Sequence, residues 1–121
     1  MSVSINGQRF NAEYMTSPEE ISKGMMGRDS LKGCMVFKMG KKGYHHFWMK
    51  NCLVPLDIVY VLNDRITKIH HNCEPCGDGE CKKTYTGPGD HVIEFPGGTA
   101  DKWNVGDSVM MYLGSPMNPV Q

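Results

Sequence analysis

At 121 residues and 13.6 kDa the chain has room for one domain. It buries roughly two-thirds of its unfolded surface, so neither a metal nor a disulfide is required for folding. Hydrophobic residues at 40% and charged residues at 21% exclude an intrinsically disordered chain. Thirteen basic and thirteen acidic side chains cancel, which leaves no long-range field to gather nucleic acid or an anionic membrane, and no nucleic-acid partner is expected.

The chain opens as a β-hairpin. Val3 to Ile5 and Phe10 to Met15 flank Asn6-Gly7, a pair suited to the positive φ angles of a tight turn. Thr16-Ser17-Pro18-Glu19-Glu20 then predicts a helix start, with Ser17 as cap, Pro18 in the first helical position and Glu20 closing a capping box. Ile21 and Met25 share one face, Gly27 is the expected stop, and the helix should run about three turns.

Short strands follow. Cys34 to Phe37 leads through a loop, Lys38 to Gly43, into a strand from His46 to Lys50. Leu56 to Leu62 is apolar on both faces apart from Asp57 and reads as a buried central strand. Asn63-Asp64 turns it into Arg65 to His71, and Cys73 to Gly89, rich in Gly, Pro and Cys, reads as an exposed excursion. His91 to Phe95 alternates, Thr99 to Asn104 suggests one helical turn, and Ser108 to Leu113 is the last strand. The expectation is a mainly β fold: a single small barrel-like or jelly-roll-like domain, residues 1–113, with one short helix near the N-terminus and a frayed tail, 114–121.

The longest apolar run, Ile58 to Leu62, has five residues, far short of a membrane span, so no membrane insertion is expected. Met1 to Asn6 has neither the charged nor the apolar segment of a signal peptide. A cytoplasmic protein is therefore expected, or a secreted one if a signal has been removed.

Three segments carry a family resemblance. Thr16-x-x-Glu19 with Gly24-Met25-Met26-x-Arg28 is the first, and Phe47-Trp48-Met49-Lys50-Asn51 with Pro55-Leu56-Asp57-Ile58 is the most distinctive. The third is Val92-x-Glu94, Gly97-Gly98 and Gly106-Asp107-x-Val109. In this order and spacing the chain resembles the family known as domain of unknown function 192. The resemblance implies a mostly β, barrel-like or jelly-roll-like domain and no particular reaction. Cys52 departs from it, standing where a small hydroxyl residue is usual, as does Gly97, where alanine is common. Pro75-Cys76 with Cys81 and Tyr85 matches an arrangement found in many relatives.

Two constellations carry chemistry. The first is Trp48, Lys50 and Asn51 with Arg28 and Asp57. Trp48 offers a flat apolar platform and the others polar contacts, a combination suited to a sugar ring or a peptide. The competing reading puts Trp48 in the core and Asn51 at a turn, with Asp57 paired to Arg28 or Lys50. The second is His70-His71-x-Cys73-x-x-Cys76-x4-Cys81. Zinc held by Cys73, Cys76, Cys81 and His71 is one arrangement. A Cys76–Cys81 disulfide across the flexible Gly77-Asp78-Gly79 is the leading one, followed by free thiols and then by zinc.

Cys34 and Cys52 lie in apolar contexts and read as inert thiols, so nucleophilic catalysis fits poorly. No spacing selects a carboxylate pair from Glu13, Asp57, Glu94 and Asp107. The leading expectation is a non-catalytic binding or accessory domain with a groove around Trp48, its partner a small ligand or a protein and its cofactor none. The alternatives are a small hydrolase or carbohydrate-active enzyme using Asp57, and a structural or assembly protein.

Overall fold

The computed structural model describes residues 1–114; the expected frayed tail, from residue 115 onward, lies outside the described residues. The hairpin forms as expected. β1 (Ser2–Ile5) pairs antiparallel with β2 (Gln8–Met15), and Asn6 and Gly7 take φ of 50° and 78°, the left-handed pair that matches the twist of the flanking strands.

Ser17 caps α1 (Pro18–Lys23) with the expected reciprocal box. Its side chain accepts from the Glu20 amide, and the Glu20 carboxylate accepts from the Ser17 amide. The helix is only six residues long, shorter than expected. Gly24, not Gly27, ends it at φ 44°. A β-carbon there would stand 3.2 Å from the Phe37 ring, so the absence of a side chain lets the helix end settle on the sheet. Met25 is buried just beyond the helix, in the turn that follows.

The segments expected as two strands and a loop between 34 and 47 are one long strand, β3 (Cys34–Phe47). The glycines and lysines expected to form the loop instead make a register shift between Lys38 and Gly43, an irregularity that bends a strand without ending it. β4 (Leu56–Leu62) and β5 (Arg65–Cys73) form a second hairpin through Asn63 and Asp64, both at positive φ. β6 (Tyr85–Pro96) starts four residues earlier than the exposed excursion was expected to end, and β7 (Val109–Tyr112) closes the order. The helical turn expected at 99–104 is a run of hydrogen-bonded turns.

All seven strands join one sheet in the order β5-β4-β6-β3-β2-β1-β7. Among the described residues its only parallel pair of strands is β2 with β3, the pair that α1 connects. The sheet curls into a half-barrel, and its two ends meet where Arg65 bridges Ser108 and the Val109 amide donates to the Asp64 carbonyl. The barrel-like form of the expectation is therefore the one adopted.

Strand alternation sends two apolar sets to opposite faces. Val36, Val59, Ile93 and Phe95 pack inside the curl with Trp103, Ile66 from one end and Val109 from the other. Phe37, Ile58, Tyr60 and Val92 pack outside it with Met25, Met49 and Leu56. Burying each such side chain contributes roughly 1.5–3 kcal/mol, and β4 is buried on both faces along almost its whole length.

Gly33 brings β3 against the opening of β2, with φ at 77° and space for a β-carbon only 2.1 Å from the Asn11 carbonyl. Gly33→Ala is expected to destabilise the fold by about 2 kcal/mol or more, through backbone clash and a strained φ. Urea denaturation followed by circular dichroism measures it, and an unchanged midpoint contradicts this account.

Candidate functional site

The outer apolar face needs a cover, and three pieces supply it: α1 with its following turn, residues 47–54, and the loop carrying Cys76 and Cys81. Backbone hydrogen bonds tie these pieces together. Asn51, at φ 59°, accepts from the Gly27 amide at 2.9 Å and donates its own amide to the Gly77 carbonyl at 2.6 Å. The Cys76 amide donates to the Met49 carbonyl at 3.2 Å.

The cover is incomplete. Between α1 and residues 46–52 lies an open groove of about 380 Å³, with Met25, Met39, Phe37 and Phe47 on its walls. Trp48 stands at this groove with 47% of its surface exposed. The Lys50 ammonium sits 5.4 Å from the centre of its ring, a cation–π distance. Lys23 also lines the groove, and among the described residues neither lysine has a carboxylate partner within salt-bridge distance.

Glu94 also lines the groove, on the outer face of β6. It is 4% exposed, and its Oε1 has no hydrogen-bond partner among the described residues. Burial among apolar groups pushes its carboxyl up to about 8, so at neutral pH it is mostly a neutral acid, a donor as well as an acceptor. An unsatisfied buried polar atom costs about 1–3 kcal/mol, and this one borders an open groove.

Cys52 lines the same groove. Burial, with a smaller contribution from the Glu94 charge, raises its thiol to about 11. Burial likewise raises Cys34 to about 12. Both remain thiols at neutral pH, as their apolar contexts suggest, and Cys52 is no nucleophile beside Glu94.

Of the five residues expected to form the site, Trp48 and Lys50 line the groove and three do not. The Arg28 guanidinium pairs with Glu13 at 2.6 Å across the surface. Asn51 does backbone work, as the competing reading had it. Asp57 is fully buried, and its two oxygens accept from the amides of Asn72 at 2.8 Å and Ala100 at 2.7 Å. It pairs with neither Arg28 nor Lys50; it ties β5 to the turn after β6. A carboxylate so engaged and so enclosed is a structural tie.

The cysteine loop takes the disulfide arrangement. Cys76 and Cys81 are bonded, with Cα atoms 5.7 Å apart, which removes two of the three sulfurs the zinc arrangement needed. Cys73 is a buried free thiol whose Sγ faces the His70 carbonyl. His71 turns elsewhere, with a ligating nitrogen within 4.8 Å of oxygens of Asp57 and Asp101. The Asp57 oxygens in that group already accept amide hydrogens.

Sequence reasoning missed Glu94 as the polar floor of the groove. The available signal was an acidic residue inside the bulky run Val92-Ile93-Glu94-Phe95, with no basic residue at strand spacing to pair it.

A seven-stranded curled half-barrel with a short N-terminal helix is the class of protein this architecture defines. The chain belongs to the DUF192 family, described as "Uncharacterized ACR", whose model matches residues 1–111. It is similar to a protein of unknown function from Novosphingobium aromaticivorans DSM 12444, with 30% identity over 92% of this chain and 84% of that one, at a TM-score of 0.82. It is also similar in fold to a putative transcription regulator from Sinorhizobium meliloti 1021, with 24% identity over 90% and 89% of the two chains, at a TM-score of 0.78. No functionally curated protein matches it. Among the described residues no helix is long and apolar enough to cross a membrane.

Two predictions follow from this geometry. Folding lifts the Glu94 pKa from about 4.5 to about 8, so the stability its neutral form permits is fully present below about 4.5 and is lost as pH rises to about 8. Glu94→Gln should flatten that part of the stability–pH profile in urea titrations; a variant that keeps the wild-type slope contradicts the assignment. Alkylation of the denatured, unreduced protein should label three cysteines, Cys34, Cys52 and Cys73. Intact mass spectrometry counts the labels, and five would remove the disulfide.

Proposed function

We propose that this protein is a non-catalytic binding or accessory domain whose ligand lies in the groove beside Trp48. The observation that carries the reading is Glu94, a buried carboxyl with an unpaired oxygen, bordering an open and mostly apolar groove. A ligand group placed against the Glu94 carboxyl would give that acid a polar partner, and the half-exposed indole would cover the ligand's flank. The walls are chiefly sulfur and ring surface, which suits a peptide-like or other elongated apolar ligand better than a sugar ring with its many hydroxyls.

A binding role also fits what the groove lacks. Its thiol is held protonated by burial, and among the described residues Glu94 is the sole carboxyl on its lining, so no pair of acids is at hand.

The test is a screen of short peptides, saccharides and small amphipathic molecules by two-dimensional NMR of the labelled protein. Hits should shift amides of Trp48, Lys50 and the turn after α1. Trp48→Ala should weaken them at least about fivefold while the spectrum stays folded, because a ring contact of this kind is worth about a kcal/mol or more. Hits that map elsewhere, or that Trp48→Ala leaves unchanged, overturn the reading.

A further inference from the structure

The charges around the groove narrow the class of ligand. Its lining carries two ammonium groups, Lys23 and Lys50, and one carboxyl, Glu94. With Glu94 mostly neutral, the groove is positive at neutral pH, and the lysines stand without carboxylate partners among the described residues. A cation entering from solvent would meet two like charges before reaching the acid. An anion would meet two favourable ones.

Polarity also changes with depth. Lys23 is exposed and Lys50 partly so, whereas Glu94 and the neighbouring Met25 and Phe37 are buried. A charged head is therefore matched at the rim and an apolar body along the walls, with one hydrogen-bonding group matched at depth. A neutral carboxyl offers one O–H to give and one carbonyl oxygen to receive on. An amide is its full complement, since it gives and receives in the same plane, and a plain hydrocarbon end would leave the carboxyl without a polar partner in the groove.

Resting on the groove reading above, we infer that the ligand is an elongated apolar organic anion. Its acidic head sits between Lys23 and Lys50, and its far end carries an amide-like group paired with Glu94. The orientation follows from burial: the charged head stays at the wet rim and the uncharged polar end goes to the enclosed floor, where an unpaired charge is costly.

Calorimetric titration of the wild-type protein with four probes of one chain length tests this. They are a medium-chain dicarboxylic acid monoamide, the plain alkanoate, the uncharged alkanamide and the alkylammonium ion. The monoamide should bind tightest. The alkanamide should be weaker by about twofold to fivefold, the range for a partly exposed ion pair. The alkanoate should be weaker by a similar factor and the ammonium ion should not bind. Lys23→Met with Lys50→Met should erase the preference for the acid, and Glu94→Leu the preference for the amide. An alkanamide or ammonium ion binding as tightly as the monoamide overturns the anion assignment. An alkanoate binding as tightly overturns the Glu94 pairing. If no probe binds while the NMR screen still finds hits at Trp48, this inference falls and the groove reading stands. If both experiments are blank, both fall.

Discussion

The architecture depends on a sheet whose central strands are apolar on both faces. β4 shows it most clearly: Val59 and Val61 pack inside the curl and Ile58 and Tyr60 outside it. Such a strand cannot face water on either side, because each exposed large side chain would forfeit roughly 1.5–3 kcal/mol. The sheet covers its inner face by curling until β5 and β7 meet. It cannot cover its outer face in the same way, so that face recruits the irregular segments of the chain. The short helix, residues 47–54 and the disulfide loop are thus parts of one lid, held by backbone bonds through Asn51 and Gly77.

The groove is the consequence of an imperfect lid. Six helical residues and a few turns do not span the outer face, and Glu94 borders the gap they leave. A protein built for stability alone would place an apolar residue at that strand position. An unpaired acid there carries a standing cost, offset by the packing around it, and such costs gather where chemistry or binding happens. The nearby Tyr60 hydroxyl does not relieve the cost, because its single hydrogen is directed to the backbone carbonyls of Tyr85 and His45, which share it.

The two acids of the middle strands illustrate how context divides like residues. Asp57 and Glu94 are both carboxylic, both buried and both in central strands. Asp57 meets two amides that point at its oxygens and becomes a tie within the fold. Glu94 meets sulfur, rings and the groove, and stays mostly protonated at neutral pH. Sequence position does not distinguish the two, because the partners of Asp57 arrive from residues 72 and 100, remote in the chain.

The sequence by itself determined whatever rests on neighbours along the chain. The Asn6-Gly7 and Asn63-Asp64 turns, the Ser17 capping box, the doubly apolar β4 and the mainly β class all follow from local backbone preference and side-chain period. The pairing of Cys76 with Cys81 stood first among three arrangements, since a five-residue separation with glycines between lets the sulfurs meet, and the structure decided it. Tertiary structure alone decided the rest. It ended the helix at Gly24, because the Phe37 ring waits there. It joined two expected strands into β3, because β6 pairs with both across a bulge. It removed Arg28, Asn51 and Asp57 from the site and put Glu94 into it, because a polar side chain takes its role from the groups that reach it, and those come from distant parts of the chain.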